Sequence, residues 1–182
     1  MRIFARTSLA AAVLGAMVWL SGWSDAVAQQ QKLEAVKTIK DWSVFEIGDG
    51  ASKVCWIVTS PTKSAARRGG QTVQVRRGDI FLMVAVRPSD GVKNEVSFLA
   101  GYPFKKGSKV EAKVGPSKFS LFTDGENAWM PSPGDDDKVV AAFRRGSSTQ
   151  LSGVSSRGTT TVDTFSLSGF TAALKSATGN CK

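Results

Sequence analysis

Thr161–Cys181 reads T-V-D-T-F-S-L-S-G-F-T-A-A-L-K-S-A-T-G-N-C. Val162, Thr164 and Ser166, interleaved with Phe165 and Leu167, describe a strand. Phe170, Ala173, Leu174 and Ala177 then recur at spacings of three and four, the period of one helix face. The stretch therefore predicts a strand handing over to a short helix that ends near Gly179 and Asn180. Cys181 follows directly, so the last element carries a thiol back toward the body of the domain. The only other cysteine in the sequence is Cys55.

The opposite end has a different character. Arg2 and Arg6 precede an apolar run from Leu9 to Leu20, and Ala26-Val27-Ala28 supplies the small residues of a cleavage site. That pattern predicts a secretory signal peptide over 1–28. The run is well short of the ~20 residues that a membrane span needs, and no second apolar stretch appears, so no transmembrane segment is expected in the mature chain. Residues 29–40 are polar and mixed, and read as a flexible lead-in to a single domain over 41–182. The sequence carries a net charge of +9, and loss of residues 1–28 with Arg2, Arg6 and Asp25 leaves +8. Such a surface favours anionic partners; an exported protein meets envelope anions rather than nucleic acid. Two cysteines in an oxidising compartment predict a Cys55–Cys181 disulfide, with two free buried thiols as the alternative.

Between the ends, short strands alternate with turn residues. Asp41–Ile47 and Lys53–Ser60 flank Gly48-Asp49-Gly50 as an antiparallel hairpin, the second strand so continuously apolar that it is expected deep in the sheet, with Trp42 and Trp56 buried. Ile80–Arg87 pairs with Asn94–Ala100, and Val110–Val114 alternates as a half-buried strand. Lys118–Phe122 and Ala128–Met130 flank an Asp124-Gly125 turn, and Gln150–Val154 forms a last hairpin with Thr159–Ser166. The exception is Gly134–Arg145, where Asp135, Asp136 and Asp137 precede Val139, Val140 and Phe143 and suit the positive end of a helix. Contiguous acids lack the alternating spacing of a calcium loop. The whole predicts an all-β fold, an antiparallel β-sandwich or barrel-like domain with a short mid-chain helix and a short C-terminal helix. Pro61–Gly70 reads as a flexible basic loop, and Lys63, Arg67, Arg68, Arg76 and Arg77 form a candidate anion-binding set, with a merely solvated basic face as the alternative.

No histidine occurs anywhere in the sequence. This removes the usual general base, the Ser-His and Cys-His nucleophile systems and the commonest metal ligand together. There is no Cys-x-x-Cys motif and no phosphate-binding glycine loop. No catalytic, cofactor or metal site is expected. Carboxylates that could serve glycoside chemistry are Asp79, Glu95, Glu111, Asp124 and Glu126, and sequence pairs none of them across a cleft.

A set of segments distributed over the mature chain carries a family resemblance. These are the Asp41-Trp42 opening, the strand holding Cys55, F-L-A-G-Y-P-F-K-K-G at Phe98–Gly107 and L-F-T-D-G-E-N-A-W at Leu121–Trp129. F-R-R-G-S at Phe143–Ser147 and the terminal F-S-L-S-G-F-T-A-A-L complete the set. Together they resemble the invasion-associated locus B family of alphaproteobacteria. Many members carry a second cysteine pair near the region of Thr123–Trp129; its absence here resembles a one-disulfide branch. The resemblance implies an exported all-β protein of the periplasm, with secretion or outer-membrane association as further destinations. It implies no enzyme, ligand or cofactor. The resulting expectation is a non-enzymatic envelope protein that binds a protein partner or an anionic envelope component. The rival is a carboxylate-dependent enzyme acting on envelope glycans. Oligomeric state is not set by the sequence.

Overall fold

The computed structural model describes residues 33–182. The signal peptide expected over 1–28 and residues 29–32 of the lead-in lie outside the described residues. The strands are β1 (Lys37–Ile39), β2 (Trp42–Ile47), β3 (Val54–Thr59), β4 (Lys63–Arg68), β5 (Gln71–Thr72), β6 (Phe81–Arg87), β7 (Val92–Leu99), β8 (Lys109–Val114), β9 (Ser117–Asp124), β10 (Asn127–Trp129), β11 (Ser148–Val154) and β12 (Thr160–Ser166). Helix α1 (Pro133–Arg145) separates β10 from β11, and α2 (Phe170–Asn180) follows β12. All twelve strands join one antiparallel sheet in the order β1-β2-β3-β6-β7-β10-β9-β8-β11-β12-β4-β5.

The connection from β3 to β4 bends this sheet. β4 and β5 leave the neighbourhood of β3, pair at the far end beside β12, and the chain then returns to β6 next to β3. The two ends of the sheet are thereby held close. The Thr62 backbone N–H donates to the Thr164 carbonyl at 2.8 Å, and the Trp42 indole N–H donates to the Ser166 carbonyl at 3.1 Å. Phe98 of β7 and Phe165 of β12 meet edge to face with centroids 6.0 Å apart. The result is sandwich-like, with one curled sheet supplying both layers of a shared core.

Helix α2 fills the remaining space. Phe170, Ala173, Leu174 and Ala177 are buried, as their spacing predicts. The Phe170 ring lies 5.1 Å from Trp42 and 5.4 Å from Phe143 of α1, both edge to face. Gly169 sets the entry angle: its φ is +91°, and a Cβ there would collide with the Ile39 carbonyl, so only glycine lets the helix start this close to β1. Cys181, one residue past the helix, is joined to Cys55 of β3.

Three expectations change. Lys63–Arg68 is a strand rather than a flexible loop: it pairs over five residues with β12, and those ladder bonds outweigh the local signals of Pro61 and the Gly69-Gly70 pair. Lys37–Ile39, expected within a flexible lead-in, pairs with Trp42–Val44 as an edge strand. In β3 only Cys55, Ile57 and Thr59 are buried; Val54, Trp56 and Val58 are half-exposed on the opposite face, where Trp56 stacks on Phe45 at 5.5 Å.

Each acid of the Asp135–Asp137 run has a task at the start of α1. Ser132 is the N-cap, its hydroxyl accepting from the Asp135 N–H at 3.2 Å and donating to the Asp135 carboxylate at 2.7 Å, a variant of the reciprocal capping box. Asp137 accepts from the Asn94 amide. Asp136 is buried and accepts from the Val96 N–H at 2.8 Å, which ties α1 to β7.

Two expected outcomes test this packing. Phe170→Ala should cost on the order of 3–5 kcal/mol in urea unfolding, since its ring contacts both Trp42 and Phe143. Burial, reinforced by Glu95, Asp137 and Asp135 and opposed by the Val96 N–H, raises the Asp136 pKa to about 6. A raised acid pKa means that the folded state takes up the proton more readily than the unfolded chain, so its stabilising effect is complete below the ordinary value of 3.8 and is lost as pH rises through about 6. The stability of the protein relative to Asp136→Asn should therefore fall between those limits, as measured by urea unfolding at successive pH values.

Candidate functional site

Among the described residues, the basic side chains singled out by sequence fall on two faces of β4. Lys63, Ala65 and Arg67 line an outer groove of about 530 Å³ with Gly70, Thr160 and Thr164. Arg68 has the opposite parity along the strand and lines a separate cleft of about 430 Å³, because successive side chains of a strand point to opposite faces. Arg76 and Arg77 line that same cleft. The five residues are therefore split between two surfaces, with three of them on the cleft.

The irregular segment after β5 places Arg76 and Arg77. The Val73 N–H bonds back to Ala66, and the Gly78 N–H donates to the Gly101 carbonyl at 2.9 Å. Gly101 has φ +67°, and a Cβ there would sit 2.5 Å from the Gly78 carbonyl oxygen, so the two backbones cross in direct contact. Arg77 is consequently turned inward. Its Nη1 and Nη2 donate to the two Asp163 carboxylate oxygens, both at 2.7 Å, and its Nε and Nη2 donate to the Ala100 carbonyl at 2.9 and 2.7 Å. The guanidinium carbon lies 4.9 Å from the centre of the Tyr102 ring. Side-chain exposure is 7% for Arg77 and 0% for Asp163. Arg77 is thus a buried pin, not a ligand for an incoming anion: its charge is neutralised bidentately.

Tyr102 and Thr161 share a hydroxyl–hydroxyl bond of 2.7 Å. Burial raises the Tyr102 pKa, partly offset by Thr161 and by the Arg77 charge, so the ring presents a neutral phenol. Above this floor stand Arg68, Arg76 and Arg157. The Arg68 Nε and Nη2 both donate to the Thr159 hydroxyl, at 3.0 and 2.7 Å, which fixes its guanidinium. Among the described residues, neither Arg76 nor Arg157 forms an ion pair. Glu126 is the acid among the lining residues. The cleft is therefore a concave surface with three outward arginines and one carboxylate over a neutralised base, an arrangement that attracts oxyanions.

Sequence reading missed Arg157, Tyr102 and Asp163 as participants, and named Glu126 only among acids for glycoside chemistry. Arg157 lies in the hairpin turn Ser155–Gly158, where a cation reads as solvent-facing. Tyr102 and Glu126 lie in turns that no periodicity aims. Asp163 did carry a signal: it shares the inward parity of Thr161 and Phe165, and a carboxylate on the buried face of a strand requires a cationic partner. Of the acids considered for glycoside chemistry, Glu126 lines this cleft, Glu95 pairs with Arg87 and Glu111 pairs with Lys118.

A curled antiparallel sheet plugged by a disulfide-tethered C-terminal helix defines a compact all-β class. The sequence matches the family described as Invasion associated locus B (IalB) protein over residues 42–178, and the chain belongs to that family. The fold is similar to the crystal structure of invasion associated protein B from Bartonella henselae, with a TM-score of 0.53 and 17% sequence identity, covering 79% of this chain and 94% of that one. At that identity the likeness concerns the fold. A search of curated proteins gives no match.

The buried ion pair makes a direct prediction. Arg77→Met should destabilise the protein by roughly 3–5 kcal/mol in urea unfolding, because it strands the Asp163 carboxylate in the interior. Arg77→Met combined with Asp163→Leu should recover a large part of that loss, since neither charge then needs a partner.

Proposed function

We propose that this protein is exported to the cell envelope and binds, without catalysis, an anionic group on an envelope component or partner protein in the cleft formed by Arg68, Arg76 and Arg157. The arrangement of charge carries the reading. Among the described residues, Arg68, Arg76 and Arg157 form no ion pair and line the same concavity, where Thr159 holds Arg68. Their planar forks suit phosphate or carboxylate oxygens. The N-terminal pattern of two arginines, an apolar run and Ala-Val-Ala supports export. Among the described residues no helix is long and apolar enough to cross a membrane.

The test compares two double variants of equal net charge. Binding to lipopolysaccharide and to vesicles containing phosphatidylglycerol is measured by cosedimentation over a range of salt. Arg76→Gln with Arg157→Gln should weaken binding at least tenfold and flatten its salt dependence. Lys105→Gln with Lys106→Gln should change both far less. Equal losses in the two variants would show that overall charge, not the cleft, attracts the anion.

A further inference from the structure

β3 and β6 read V-C-W-I-V-T and F-L-M-V-A-V-R, near-continuous apolar runs of the kind found in sheets covered on both faces. Here the core and α2 cover one face. The other carries a register row that crosses five strands: Val58 on β3 opposes Met83 on β6, Met83 opposes Ser97 on β7, Ser97 opposes Trp129 on β10, and Trp129 opposes Phe122 on β9. The neighbouring rows add Phe45, Trp56 and Ala85 on one side and Phe81 with Leu99 on the other. The face is therefore apolar on β2, β3 and β6, counting Ile47 and Val54 beyond Phe45 and Trp56, and along the central row to Phe122, while Ser43, Glu95, Asn127 and Asp124 complete the rows at its margins.

Its relief is complementary to itself. At one end of the central row Phe122 protrudes, 46% exposed, with its ring 5.7 Å from Trp129. At the other end a groove of about 610 Å³ is lined by Trp56, Val58, Phe81 and Met83 and walled by Leu33 and Thr38. Ser97, the smallest side chain of the row, lies midway between knob and groove. A two-fold axis through Ser97 exchanges the two ends, which is the defining property of an isologous interface.

The geometry points to a second copy of this chain as the layer covering this face, with Phe122 of each copy seated in the groove of the other. Charge favours that occupant over an anionic surface. The chain carries +9 overall, yet of the cations on these rows Arg87 is bonded to Glu95 at 2.7 Å and to Asp90 at 3.2 Å, and Lys109, which opposes Phe122, is offset by Asp124 on the same side of β9, while Lys40 at the groove rim is adjacent to Asp41. The face is close to neutral, so two copies meet there with little repulsion. Its extent is sufficient: six strands and four rows span about 24 by 20 Å at ordinary sheet spacings, on the order of 500 Å² per copy. Two copies then reach about 1,000 Å², where specific interfaces begin.

The experiment uses protein produced from the full chain. Ser97→Cys places two thiols at the axis, and both native cysteines are already paired with each other. Mild oxidation should convert it to a covalent dimer, while Ser117→Cys, at the β8–β9 turn, should stay monomeric. In sedimentation equilibrium, Phe122→Asp should raise the dimer dissociation constant at least tenfold with an unchanged far-ultraviolet circular dichroism spectrum, as expected for an exposed side chain. A wild-type protein that stays monomeric at all accessible concentrations would overturn the proposal, as would a dimer that Phe122→Asp leaves intact or one that Ser97→Cys fails to crosslink. Monomeric protein whose Phe122→Asp variant loses vesicle binding would assign the face to lipid instead.

Discussion

The bidentate bond between Arg77 and Asp163 joins parts of the chain that no strand pairing connects. Asp163 belongs to β12, Arg77 to the irregular return from β5, and the Ala100 carbonyl that Arg77 also binds follows β7. Through this one guanidinium the two layers of the curled sheet are held at a fixed separation beside the cleft. A buried ion pair is seldom a net source of stability, because desolvation offsets its Coulomb attraction. Its contribution here is register: only one placement of the 73–80 segment brings Arg77 over Asp163 while Gly78 crosses Gly101. The same choice leaves Arg76, the next residue, on the outside of the turn, so the cleft inherits its geometry from the pin beneath it.

This division of labour explains why clustering of basic residues in sequence is a poor guide to a binding surface. Arg76 and Arg77 are adjacent, yet one is neutralised in the interior and the other faces solvent. Lys63 and Arg67 share a strand with Arg68 and point away from it. Charge density along the chain measures how cationic a segment is; strand parity and burial decide which of those charges act together.

The fold was legible where one local rule dominated. The three-and-four spacing of Phe170, Ala173, Leu174 and Ala177 located α2, the alternation of Val110, Ala112 and Val114 located β8, and the Asp-Gly pair at 124–125 located the β9–β10 hairpin. Reading failed where long-range pairing supplied what local composition lacks. Lys63–Arg68 has the punctuation of a loop and becomes a strand because β12 offers it a ladder. Trp56 sits in an apolar run that suits a doubly covered strand, and the single chain covers one side of it. The candidate site was half legible: Arg68 and Arg76 were found and Arg157 was not, while the partition of the basic set between two faces, and the Asp163 that neutralises Arg77, depend on contacts such as one 86 residues apart. Membership of the IalB family, by contrast, was legible from segments spread across residues 42–178, since their order and spacing survive wherever individual contacts do not reveal themselves.

The link between Cys55 and Cys181 spans 126 residues, from β3 to the residue after α2. A chain delivered N-terminus first presents β2, β3 and Cys55 early, but the helix that plugs the sheet and the thiol that fastens it arrive only after all twelve strands. Until then Trp42 lacks Phe170, and the Ser166 carbonyl that its indole bonds has yet to appear. Completion of the domain thus waits on α2 and Cys181, which follow all twelve strands in chain order. A chain interrupted even shortly before Cys181 would keep most of its strands and none of its fastening, and so would be marked for removal by proteases that act on open structure.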